Sequence, residues 1–283
     1  MTSHDDARAV TAHNPDQVEP PIPAQPREVP RYDVMRWRGR RSTACVVIPV
    51  INEGDRIGRL LGRMAALGVP EQADVILVDG GSRDGSLEPD RLDAARVAGL
   101  LLKRDPGRLS AQLRCAYDFV LGQGYDEIVT IDGNDKDDPD PIPDFIAAIR
   151  GGVDFVQASR FMRGGVEENT PLKRRLAVRL VHAPLLSLAS GFHWTDTTQG
   201  FRGYSRRLLA DPRLSIFRAA FSDYELLAYL NYRAPRLGFR CREMPTARRY
   251  PKGEKAPTKI DVRGEFRLVR VLVATCLGRY DPK

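Results

Sequence analysis

The chain has 283 residues, 42% hydrophobic and 29% charged, enough for one large buried core or two modest ones. Its formal charge is +7, and the segment from Arg236 to Lys283 alone holds 13 basic against 5 acidic residues, so the positive excess belongs to one end. Cys45, Cys115, Cys241 and Cys276 stand singly, which excludes a zinc cluster, and no 18-residue window is free of charge, which excludes a membrane-spanning helix.

Residues 1–41 contain Pro15, Pro20, Pro21, Pro23, Pro26 and Pro30 among many charges and no apolar period. They are expected to form a disordered or loosely docked arm. Short apolar runs follow at 44–50, 73–79, 97–103, 126–132 and 154–159, of the kind that suits strands buried on both faces of a parallel sheet. Helical patterns lie between them at 54–67, 88–96, 108–122 and 141–150, and this alternation is that of a doubly wound α/β sheet. Further on, the pattern predicts a basic, apolar helix over 171–190 kinked at Pro184, a helix over 222–233, a strand near 237–246 and an amphipathic helix over 262–277. The opening MTSHDDARAV lacks a basic segment followed by an apolar one, and with the single cysteines it leads to an expected cytoplasmic placement.

Ligands of such sheets sit beyond the carboxyl ends of the strands, so the residues ending each run come first. The first run ends in Pro49-Val50-Ile51-Asn52-Glu53-Gly54 and the second in Asp79-Gly80-Gly81-Ser82-Arg83-Asp84-Gly85-Ser86. Glycines allow close backbone approach to a ligand, and Asp79 can accept hydrogen bonds from a base or ribose. The same residues equally suit an ordinary turn in which Ser82 and Asp84 cap a helix. Neither run is a dinucleotide or ATP phosphate loop.

The fourth run ends in Asp132-Gly133-Asn134-Asp135-Lys136-Asp137-Asp138. Oxygen ligands in this density suit Mg²⁺ or Mn²⁺ shared with a substrate phosphate, and a solvated acidic loop is the alternative. Arg202, between aromatics in Gln199-Gly200-Phe201-Arg202-Gly203-Tyr204, either contacts a phosphate or stacks on Phe201 or Tyr204. Arg160 and Arg163 admit the same two readings. The stretch 247–260 places Arg248, Arg249, Lys252, Lys255 and Lys259 near two prolines and a glycine, as in a lid that closes over a diphosphate.

Taken together, VVIPVINE, VILVDGGSRDGS, DGND, ASRFMRGG, DTTQGFRGYSRRLL and ARRYPKGEKAPTKI resemble glycosyltransferase family 2, in its branch of dolichyl- and polyprenyl-phosphate mannosyltransferases, over roughly residues 44–260. The resemblance implies a GT-A fold: a Rossmann-like, mostly parallel sheet flanked by helices in a single catalytic domain over 42–250. A basic lid and a C-terminal amphipathic helix over 251–283 would follow it. In that reading Pro49, Asn52, Glu53 and Asp79 hold the base and ribose of a nucleotide-diphosphate sugar. Asp132 faces the ribose and the metal.

The family's Asp-x-Asp-x-polar signature reads Asp132, Asn134 and Lys136 here, which leaves Asp135 as a substitute metal ligand and lets Lys136 neutralise a phosphate. The resemblance also implies inversion at the sugar carbon, with Asp223 as base for a hydroxyl acceptor and Asp196 as second choice. Acids at 223 and 225 also suit the first turn of a helix. Arg160, Arg202, Arg249 and Lys255 are the expected phosphate or acceptor contacts. The expected acceptor is a polyprenyl phosphate, with a soluble hydroxyl acceptor as the alternative and peripheral membrane contact through the basic C-terminal region. A nucleic-acid partner is disfavoured, because the acidic strand end repels a phosphate backbone and no aromatic platform for bases is present.

Overall fold

The computed structural model describes residues 27–251 and 262–282, with the side chains of 262–266 excepted. Its centre is a mixed eight-stranded sheet. Strand β1 (Tyr32–Trp37) forms one edge, followed in chain order by β2 (Ala44–Val50), helix α1 (Asp55–Ala66), the short α2 (Val69–Gln72), β3 (Asp74–Asp79), α3 (Pro89–Ala94), β4 (Gly99–Lys103), α4 (Leu109–Gly122), β5 (Glu127–Thr130), α5 (Ile142–Arg150) and β6 (Phe155–Ser159). Then come β7 (Val166–Glu168), α6 (Leu172–Ala177), a π-helical turn (Val178–His182), α7 (Ala183–Ser190), β8 (Arg202–Ser205), α8 (Arg206–Ala210), α9 (Glu225–Arg236), β9 (Cys241–Pro245), β10 (Ala247–Arg249) and α10 (Val262–Cys276). The sheet order is β1-β4-β3-β2-β5-β8-β6-β9, and β7 and β10 form a separate parallel pair.

Strands β2 to β5 run parallel, as the apolar runs predict. Alternation along β2 explains why every residue is apolar: Cys45 and Val47 enter a core with α4 and α9, whereas Val46 and Ile48 enter a second core with α1 and α5. The sheet therefore holds two cores, one on each face. Strand β8 runs against both of its neighbours, β5 and β6.

Two departures from the sequence reading have plain causes. The segment expected to be an irregular arm to residue 41 contains β1, which pairs antiparallel with β4 and buries Trp37 edge-on against Phe119. An edge strand has one neighbour, so it tolerates charges that hide its pattern. The kink at Pro184 is spread into the π turn ahead of it, because a proline lacks the amide that would close the preceding turn. In α10, Val269 and Val273 share a face as expected but are exposed, and the helix docks through Val271, Leu272 and Thr275 instead.

Candidate active site

The first two strand ends are sewn together by side chains. Asn52 adopts φ 49°, a left-handed conformation that asparagine tolerates. Its amide donates to Ser82 Oγ at 2.9 Å, and its own Oδ1 accepts from the Arg83 amide at 2.9 Å. The Gly54 amide donates to Asp84 Oδ2 at 2.8 Å. Asp79 accepts from the Ser82 amide (2.9 Å) and hydroxyl (2.7 Å), so its carboxylate shapes the turn that follows it.

A cleft of about 590 Å³ opens beyond these ends, lined by Asn52, Glu53, Asp84, Asn134, Lys136 and Tyr250 among others. A smaller hollow of about 330 Å³ continues past Asp79 and Arg83 to Leu100 and Leu102. The structure thus brings Asn52, Glu53, Asn134, Asp135, Lys136 and Arg249 onto one cleft and Asp79 onto the next. Pro49 lines neither of these two; its carbonyl accepts from the Gly133 amide at 3.4 Å and joins two strand ends.

The acidic strand end divides its labour. Asp132 is not among the residues lining either cleft; it lies against Gly200, its side chain 21% exposed, with one oxygen 3.5 Å from Arg248 Nη2. Asn134 Oδ1 accepts from the Lys136 amide at 3.3 Å. Asp135 differs from the metal ligand expected of it: at φ 58° its carboxylate turns to α1, where it pairs with Arg59 (3.0 Å) and Arg63 (2.7 Å). Asp138 pairs with Arg249 at 2.9 Å, and buried Asp137 holds Arg248 at 2.5 Å.

Among the described residues no group of three or more His, Cys, Asp or Glu forms a metal cage. Magnesium needs fewer protein ligands than that, since one or two carboxylates with substrate phosphates complete its octahedron. Asp132, 3.5 Å from Arg248, and the Asn134 side chain on the cleft offer oxygens of the kind such a cation takes.

Beside Asp132 lies a buried cluster of cations. Strand alternation at β10 sends Arg248 inward, 3% exposed, while Arg249 faces out to Glu168 and Asp138. Arg160 is clamped through Asp196, at 2.7 Å from Nε and 3.3 Å from Nη2. Buried Tyr250 stacks under Lys136 Nζ at 5.0 Å and Arg248 at 5.8 Å. Burial acts to raise its phenol pKa, yet the Arg248, Arg174 and Arg160 guanidinium groups outweigh it and pull the phenol below its ordinary range. Burial, reinforced by Arg248, depresses the Lys136 ammonium as well.

Arg160 Nη1, Arg174 Nε and Arg248 Nε are buried polar atoms with no partner among the described residues. Orphaned donors in this density mark an anion site, because each costs desolvation energy until a ligand accepts from it. Arg174 and Tyr250 were not singled out by sequence reasoning. The available signal was their place in two basic segments, 172–175 and 247–250, whose convergence only the β7–β10 pair creates.

Three expected roles change. Asp196 is fully buried and saturated by Arg160, Thr198 and Gln199; burial would raise its carboxyl, but Arg160 and these donors hold it at about 2. It positions Arg160 and has no free oxygen for a proton. Arg202 is fully buried and donates to the carbonyls of Gln199 (2.9 Å), Leu227 (2.7 Å) and Thr197 (3.0 Å), which makes it a staple of the loop and not a phosphate contact. Asp223 lies two residues ahead of α9, which begins at Glu225 and not at 222, and Arg267 of α10 pairs with it at 2.5 Å while Arg108 lies 3.9 Å away. Lys255 lies outside the described residues.

The sheet, with its polar carboxyl-end rim and adjoining cation cluster, is the architecture of a sugar-nucleotide transferase. A family model described as Glycosyl transferase family 2 matches residues 45–211, and the chain belongs to that family. Relatives include a polyprenol monophosphomannose synthase of Mycolicibacterium smegmatis, 27% identical over 71% of this chain and 75% of its own. An undecaprenyl-phosphate mannosyltransferase of Micrococcus luteus is 28% identical over 70% of this chain and 80% of its own. A dolichyl-phosphate hexose transferase of Haloferax volcanii is 30% identical over 82% and 93%. In fold, the chain resembles glucosyl-3-phosphoglycerate synthase of Mycobacterium tuberculosis, solved with Mn²⁺, UDP-glucose and phosphoglyceric acid (TM-score 0.57, 19% identity, 87% of this chain and 82% of that one).

Proposed function

We propose that the protein is an inverting transferase that moves a hexose-type sugar from a UDP or GDP donor to a polyprenyl phosphate. The observation carrying this reading is the cluster of Arg160, Arg174 and Arg248, each with a buried donor that has no partner among the described residues, the last of them 3.5 Å from Asp132. The donor would lie across the two clefts, its base toward Asp79 and its diphosphate toward Asn134 and Lys136. Asp132 and Asn134 would hold Mg²⁺ or Mn²⁺, which when bound neutralises charge growing on the leaving diphosphate.

The acceptor phosphate would sit among the three guanidinium groups. A phosphate is already ionised and needs no base, which agrees with Asp223 being tied to Arg267. Three relatives are named for polyprenyl or dolichyl phosphates, which supports the same acceptor class.

The test is transfer of labelled sugar from UDP- and GDP-hexoses with Mn²⁺ or Mg²⁺ to a short, water-soluble prenyl phosphate. Product from the wild type and a loss of at least about 100-fold in Arg174→Ala support the reading. Full activity on a neutral hydroxyl acceptor, with none on the prenyl phosphate, overturns it.

A further inference from the structure

Helices α6 and α7 and the π turn between them present an apolar stripe to solvent. Leu172, Leu180 and Leu188 are 67%, 68% and 85% exposed, and Leu176 and Val181 are also exposed. Only Val178, Ala183, Leu186 and Ser190 of this stretch are buried. Between Glu168 and Asp196 the sequence has no acidic residue; of its basic residues Arg175 pairs with Glu167 at 2.7 Å and Arg174 joins the buried cation cluster, while Lys173 and Arg179 are exposed. A leucine face of this length is costly to leave in water.

The π turn has a role in the stripe. Continued as ideal α-helix, Leu188 would fall nearly opposite Leu172; one extra residue of winding shifts the phase by about 100° and swings it back. Helix α10 packs against α7 and leaves Val269, Val273 and Leu277 exposed, again with Arg270 and Arg279 beside them and no acid between Phe266 and Tyr280. Among the described residues no helix is long and apolar enough to cross a membrane.

We infer that the α6–α7 face lies on an anionic lipid bilayer, its leucines in the acyl boundary and Lys173 and Arg179 at the headgroups. Apolar burial and headgroup charge act together in such binding, and the absence of acids over the whole stretch is what charge complementarity to anionic lipid requires. Arg174 of the same helix turns its orphaned Nε toward Tyr250 and Arg248, so the bilayer would lie next to the cation cluster. The inference rests on the proposed lipid-phosphate acceptor for its purpose but not for its geometry.

Full-length protein is floated with phosphatidylcholine vesicles, with and without phosphatidylglycerol, alongside the double variant Leu180→Glu/Leu188→Glu. Both positions are exposed, so the variant should melt like wild type. Wild type is expected to float with the anionic vesicles, less at high salt, and the variant to lose at least about tenfold in binding. The variant should keep full transfer to a water-soluble prenyl phosphate and lose transfer to vesicle-borne acceptor.

Equal flotation of variant and wild type overturns the inference. So does light scattering that shows a lipid-free dimer broken by the double variant, which would make a second copy the occupant. Leucine-dependent flotation with no transfer to any prenyl phosphate upholds the membrane face while the proposed acceptor falls.

Discussion

The α-carbon of Gly200 lies directly beneath the carboxylate of Asp132, so that a methyl group at 200 would overlap Oδ1. The strand-end acid is therefore positioned by the loop that precedes β8, on a residue distant in sequence. Glycine serves here for close approach.

Gly200→Ala should push Asp132 from its place while leaving the sheet intact. We expect transfer activity to fall by about 100-fold or more, with stability lowered by about 1–3 kcal/mol from overpacking. Steady-state kinetics beside a urea titration would check this. Wild-type kcat/KM in the variant would show that the placement of Asp132 is immaterial.

Asp196→Asn breaks a fully buried ion pair and leaves Arg160 without its counter-charge. Loss of about 3–5 kcal/mol is expected at neutral pH. The carboxyl is held at about 2 against an ordinary 3.8, so its contribution is complete above the ordinary value and disappears as pH falls from about 4 to about 2. Denaturant titrations across that interval should show an acid limb that the Asn variant lacks.

Arg202→Lys should destabilise without altering donor recognition. An ammonium cannot reach the three carbonyls that the guanidinium fork serves, and stranded buried carbonyls cost about 2 kcal/mol or more. Thermal melting with and without nucleotide separates the outcomes: a lower melting temperature with an unchanged nucleotide-induced shift is expected.

Tyr250 supplies an alkaline signature. Its phenol sits below the ordinary range because Arg248, Arg174 and Arg160 overcome the effect of burial. As pH rises through the alkaline range below the ordinary phenol value, the phenolate forms earlier than usual and competes with an anionic acceptor for the same cations. KM for the acceptor should climb over that range in wild type and stay flat in Tyr250→Phe.

The parallel strands were legible because burial on both faces leaves a run of apolar residues that needs no partner to be recognised. Strand β1 was not, since YDVMRW carries charges that only an edge position permits. Strand β8 was also hidden: in RGYS the arginine is fully buried, and its acceptors are carbonyls at 197, 199 and 227. The site shows the same division. Residue types at strand ends announced a polar rim, but Asp135 turning to Arg59 and Arg63, or Arg248 rather than Arg249 facing inward, depends on backbone direction. Composition carries no record of direction.

Because β8 is wedged antiparallel between β5 and β6, those two strands have no bonds to each other and are joined only through it. Loop closure over some 70 residues must precede that insertion, a slow kind of step in chain assembly. The acid-bearing rim and the guanidinium cluster hang from opposite sides of the same strand. Without β8 in place, no strand would fix the spacing between the end of β5 that leads to Asp132 and the end of β6 that leads to Arg160.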